Sequence, residues 1–151
     1  MPIPPRRRGP QRTIEVTPVA RNTLPTSALR TEFGRILETV MTVPGVLGVV
    51  LSDDGGYAID YVLDDRKITP IDVQIIGAQL GVPLSQLVAS GARHRLDDPV
   101  VVLESDSRRL MAGLIAEEYI AAAMLAHHAN LALALRRFAA ARARLTTLLV
   151  G

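Results

Sequence analysis

The sequence predicts an α+β fold, with a five-stranded antiparallel sheet covered by helices on both faces. Three observations carry this. Apolar periodicities follow one another in the order α-β-β-α-β-β-β-α. The strand-to-strand connections are too short for crossovers, which makes the neighbours antiparallel hairpins. Two strand segments, VLGVVLS (46–52) and YIAAAMLAH (119–127), are apolar on both sides, as strands in mid-sheet between two layers must be. At 151 residues the chain suits one domain. A hydrophobic share of 48% with only 3% aromatics makes its core aliphatic.

Residues 1–25 hold Pro2, Pro4, Pro5, Pro10 and Pro18 and show no helical period, so a disordered Pro/Arg-rich arm is expected, ahead of a folded domain over 26–151. The arm reads as a solvated leader or as a tether. Helix one starts near the cap residues Thr26 or Ser27. It carries Leu29, Phe33, Ile36, Leu37, Val40 and Met41 on one face and stops at Pro44-Gly45.

After strand 46–52, Asp53-Asp54-Gly55-Gly56 predicts a primed hairpin turn. YAIDYVL (57–63) returns with Tyr57, Ile59, Tyr61 and Leu63 on one face. Thr69-Pro70 caps and opens helix two, which runs to Gly91. Pro83 lies inside it, so the helix kinks there or two shorter helices abut. Strands follow at 100–105, 109–116 and 119–127, turning at Asp106-Ser107 and Glu117-Glu118. The last helix spans about 128–149, with Leu131, Leu135, Phe138, Leu145 and Leu149 as its stripe and Arg136, Arg137 and Arg144 opposite. Arg142 falls within the apolar stripe, where it snorkels at the rim or meets a carboxylate.

Helix two raises the functional question. Val73, Ile76, Leu80, Leu84 and Leu87 line one side of it; Ile71, Ile75, Ala78, Val82 and Ala89 line the other. A surface helix needs one apolar stripe. The second is read as a subunit face, because a bare stripe would invite aggregation. The alternatives are an arm folded over it, or a change of phase at Pro83.

The residue inventory excludes much chemistry. There is no Cys, hence no disulfide, thiol catalysis or Cys-based zinc site, which is compatible with a reducing cytosol. No P-loop is present, and the pairs Gly45/Gly48 and Gly77/Gly81 lack the dinucleotide-binding context; the latter would let another backbone approach. His127-His128 would point to opposite strand faces, and no metal is expected. The carboxylate pairs 53–54, 64–65, 97–98 and 117–118 fall in turns rather than facing each other across a cleft. No serine sits in a nucleophile elbow. With no visible acid, base or nucleophile, the reading is no enzyme and no cofactor.

Every basic residue except Lys67 is arginine, and abundant Arg and Ala suggest a GC-rich bacterial genome. The arm's Arg6, Arg7, Arg8, Arg12 and Arg21 against Glu15 exceed the whole net charge of +2, so the folded part is mildly acidic. Nucleic-acid binding, which needs a basic patch on the fold, is not expected. The start lacks a secretory apolar run, and no segment reaches the roughly 18 uninterrupted apolar residues of a membrane span; a cytoplasmic protein is expected.

Taken in order and spacing, the pattern resembles the Roadblock family, related to dynein light chains and to bacterial gliding-motility regulators of Ras-like GTPases. The resemblance covers about 26–149. It rests on Val43-Pro44-Gly45-Val46, the Asp-Gly hairpin, and an apolar strand running into Asn130-Leu131. It implies central first and last strands, helix two on one face of the sheet, and helices one and three on the other. It also implies a dimer, with itself or with a second Roadblock-like chain. That dimer would bury Ile71, Ile75, Ala78 and Val82 and join edge strands at Val100, Val101 and Val102. The function it implies is a non-catalytic scaffold in signalling that binds a Ras-like small GTPase. A small-molecule sensor and a purely structural dimerisation module are the alternatives. The Pro/Arg arm and the Gly81-Val82-Pro83 interruption depart from the family pattern.

Overall fold

The computed structural model describes residues 19–20, 31–95 and 97–151. The elements run β1 (Val19–Ala20), α1 (Glu32–Met41), β2 (Val46–Asp53), β3 (Ala58–Leu63), α2 (Pro70–Arg93), β4 (Val101–Glu104), β5 (Arg108–Ile115), β6 (Tyr119–Ala126) and α3 (Leu131–Val150). The strand order is β1-β3-β2-β6-β5-β4. The five long strands are antiparallel to their neighbours, as expected. The difference is β1: two residues of the segment read as an arm pair in parallel with Val62 and Leu63 of β3. Thr26, Ser27 and Leu29 lie outside the described residues, as does the rest of the arm.

The two-faced strands β2 and β6 lie side by side at the centre. Each face carries its own core. Leu37, Val40, Phe138 and Leu145 from α1 and α3 pack on Val49, Leu51, Met111 and Leu125. Val73 and Leu84 of α2 pack on Val50, Tyr61, Ala112 and Ile120 on the other face.

The face assignment of β3 fails at one place. Leu51 pairs with Asp60, yet Ser52 pairs with Ala58, so one extra residue bulges from β3 at Ile59. A bulge reverses the alternation on either side of it. Ile59 therefore packs towards α1 and α3, whereas Tyr61 and Leu63 pack towards α2. The bulge also places the buried Asp60. Its carboxylate accepts from the Tyr61 backbone N–H at 2.8 Å and from the Thr31 hydroxyl. Thr31 in turn caps α1, accepting from Gly34 N at 2.9 Å.

The Asp53–Gly56 turn is also not of the primed type, which needs a positive φ at its first central residue. Only Gly56 is left-handed, at φ 84, and the Asp53 carboxylate accepts from Tyr57 N at 2.9 Å. This is a three-residue loop ending on a left-handed glycine. Two successive left-handed residues occur instead at Ala116 (φ 52) and Glu117 (φ 65), where β5 and β6 join.

Thr69 starts α2 with a full capping box. Asp72 N–H donates to Thr69 Oγ1 at 3.3 Å and Thr69 N–H donates to the Asp72 carboxylate at 2.9 Å. The backbone bond from Thr69, then that from its hydroxyl, holds the Asp72 carboxyl below its ordinary value of 3.8. A depressed carboxyl pKa stabilises the fold above the unfolded value, and the contribution fades as pH falls through the folded value. The stability gap between wild type and Asp72→Asn is therefore expected to be flat at neutral pH and to close below pH 3.8. Urea titrations across pH measure it, and a gap unchanged at low pH would refute the assignment.

Candidate functional site

Helix α2 crosses the sheet on its own face, and small residues let it approach closely. A Cβ on Gly77 would lie 2.2 Å from Ser52 Oγ, and one on Gly56 would lie 2.7 Å from the Ala78 Cα. What these glycines admit belongs to this same chain: the Ser52 side chain at Gly77 and the α2 backbone at Gly56. Ser52 is fully buried and its hydroxyl has no partner among the described residues. Ser52→Ala is therefore expected to raise stability by about 1 kcal/mol, the usual cost of an unsatisfied buried hydroxyl. A shifted urea midpoint with an unchanged slope would show it; a loss of stability would contradict it.

The helix passes through Pro83 without breaking, running on beyond Gly91 to Arg93, but its axis bends by 42° between Pro70–Gly81 and Pro83–Arg93. Proline removes one backbone donor and clashes with the preceding turn, which accounts for the bend. Coverage differs along the expected inner side of the helix. Val73 and Leu84 are buried, Ile76 and Leu80 partly so. Leu87, expected on the covered side, is 51% exposed.

The second stripe is uncovered among the described residues. Ile71 is 65% and Ile75 45% exposed, and Ala78 and Ala89 are exposed too. The Val82 side chain lies outside the described set. Of the three valines expected at the sheet edge, Val100 precedes β4 and packs against the α1/α3 core, Val101 packs against the α2 core, and Val102 is exposed. Alternation along a strand separates them in this way. Among the described strands β4 pairs with β5 alone, so its outer backbone edge is open.

The structure adds a feature between stripe and edge. Leu80, Pro83, Leu84 and Leu87 face Val101, Leu103 and Leu110 across an open apolar groove of about 150 Å³. Leu103 is 53% exposed. Neither Leu87 nor Leu103 was picked out from sequence as part of such a groove. Leu103 follows Val101 by two positions and so shares its face; that spacing was the available signal. No single described helix is long and apolar enough to cross a membrane.

Nothing polar converges on this surface. The carboxylate pairs lie at the ends of strands and in turns, as expected. His127 reaches instead to Glu104, with 3.5 Å between Nε2 and Oε1. Arg142 is not at a rim. It is buried, and its Nη2 donates to the Asp98 carboxylate and to the Leu114 carbonyl, both at 2.5 Å.

The chain forms a three-layered α/β/α arrangement, with helix α2 on one face of the sheet and α1 and α3 on the other. This is the Roadblock/LC7 fold. A Roadblock/LC7 domain from Streptomyces avermitilis superposes with a TM-score of 0.64 at 19% identity, covering 78% of this chain and 97% of that one. Myxococcus xanthus MglB gives 0.63 at 15% identity, covering 79% and 98%. The gliding protein MglB from Thermus thermophilus gives 0.66 at 13% identity, covering 76% and 86%. By sequence alone, no family model and no curated protein matches.

Proposed function

We propose that this protein is a non-catalytic dimeric adaptor that binds a Ras-like small GTPase and modulates its activity or location. The observation that carries the reading is the bare stripe of Ile71 and Ile75 on α2, together with the open β4 edge, on a Roadblock/LC7 fold. A two-fold contact is self-complementary, so one apolar helix face and one open edge suffice for both partners. The second chain is a copy of this one or another Roadblock-like chain. MglB, one of the similar folds, occurs in a tetrameric arrangement. Such a dimer presents a composite surface that acts on a GTPase by ordering its switch loops.

The apolar groove gives little support to a sensor, since small-molecule sites combine apolar walls with convergent polar groups. The test is calorimetry of the purified protein against each Ras-like GTPase of its own genome, loaded with GDP or a GTP analogue, followed by hydrolysis and exchange assays. Nucleotide-dependent binding is the expected result. No binding in either state would leave a structural dimerisation module.

A further inference from the structure

Helix α3 carries Arg136, Arg137, Arg142 and Arg144 and no acidic residue over its 20 residues. Arg142 turns inward. The other three are exposed, and no described carboxylate pairs with them. At 100° per residue they fall within one quarter-turn or so of the helix, on the flank of the buried face formed by Ala134, Phe138, Ala141 and Leu145. Between and beside them lie the exposed Ala140 and Ala143, too small to hold a neighbour away. Solvated helix faces ordinarily mix charges of both signs. Here a domain whose remainder is mildly acidic places a single-sign stripe on one helix.

We infer that the outer face of α3 docks an acidic protein segment, with carboxylates that meet Arg136, Arg137 and Arg144. Spacing and magnitude both favour a protein over a bilayer. Arg136 and Arg144 are eight residues apart, about 12 Å along the axis, which matches carboxylates two turns apart on a facing helix. The stripe holds no exposed large apolar side chain to insert among lipids. Near an anionic bilayer each arginine gains about fivefold, so three give roughly a hundredfold, which is weak attachment. A close Arg–carboxylate pair enclosed between proteins gains about tenfold or more by itself. Arginine also suits the task better than lysine, because its fork matches a carboxylate with two parallel bonds. The face lies across the sheet from α2, so it stays open when the α2 stripe is covered, and it does not depend on what covers that stripe.

The experiment uses the full chain and a fluorescent helical peptide with Glu at i, i+4 and i+8 on an alanine scaffold, read by anisotropy at 150 mM salt. Saturable binding is expected, and the Arg136→Gln, Arg137→Gln, Arg144→Gln triple variant is expected to weaken it at least tenfold with unchanged circular dichroism. A Gln-for-Glu peptide is expected not to bind. Three results would overturn the inference. One is no binding by wild type. Another is an equal or greater loss on replacing Arg6, Arg7 and Arg8 of the arm instead. The third is α3-dependent sedimentation with 1:1 phosphatidylglycerol and phosphatidylcholine vesicles without affinity for the peptide.

Discussion

Ile75→Glu is expected to turn a dimer into a folded monomer. Ile75 points away from its own core, so the variant should keep the wild-type melting behaviour of the isolated subunit. At a two-fold interface the change counts twice. Each copy loses roughly 1 kcal/mol of apolar burial, since the side chain is already about half covered in the subunit. Each also brings a carboxylate against apolar neighbours, costing about 1 kcal/mol or more. Together these reach about 4 kcal/mol, close to a thousandfold in Kd. Light scattering on both proteins over a range of concentrations reads the result. Val73→Glu is the contrast: that side chain is buried, so the same charge should unfold the subunit. A dimer that survives Ile75→Glu would place the interface elsewhere. A wild-type monomer would leave Ile71 and Ile75 for a different Roadblock-like chain or for the arm.

What was legible in the sequence follows from what periodicity encodes. The two-faced apolarity of 46–52 and 119–127 put β2 and β6 at the centre, because only covering layers on both sides make every position apolar. The second apolar stripe of α2 was legible as a helical periodicity of its own. Three features were not. The bulge at Ile59 leaves no compositional trace, so the single face drawn through Tyr57, Ile59, Tyr61 and Leu63 was wrong. Pro83 left open a kink or two abutting helices, and the exposure of Leu87 on the side that faces the sheet further up the helix was not foreseen. Ala116 and Glu117 take left-handed φ because the β5–β6 pairing from Ile115 to Tyr119 leaves few residues to reverse the chain, not because their side chains favour it.

Arg142 shows the same limit, since its partner Asp98 lies 44 residues away and no local pattern connects them. Its removal is expected to be costly. The side chain is 8% exposed, and one nitrogen serves both the Asp98 carboxylate and the Leu114 carbonyl, joining α3 to β5 and to the loop before β4. Arg142→Ala loses the packing of a long stem and a charge-assisted bond to the carbonyl, about 3 kcal/mol together. For a chain of this size that is roughly 10 °C in Tm. Asp98 is 75% exposed on its side chain, but Asp98→Ala leaves the buried guanidinium without its carboxylate and sets alanine at a left-handed φ of 48, so it should cost about 1–3 kcal/mol. Arg142→Met separates the two contributions: it keeps the stem and discards a buried charge whose Nε has no partner. It should be less damaging than alanine, as apolar replacements of buried ions often are. Gly113 supplies the coupling test, because a Cβ there would lie 2.6 Å from the Arg142 guanidinium carbon. Gly113→Ala should therefore destabilise the wild type and cost much less in the Arg142→Ala background. Equal costs in the two backgrounds would mean that the guanidinium does not occupy the space over Gly113, and that the link between α3 and β5 rests on other contacts.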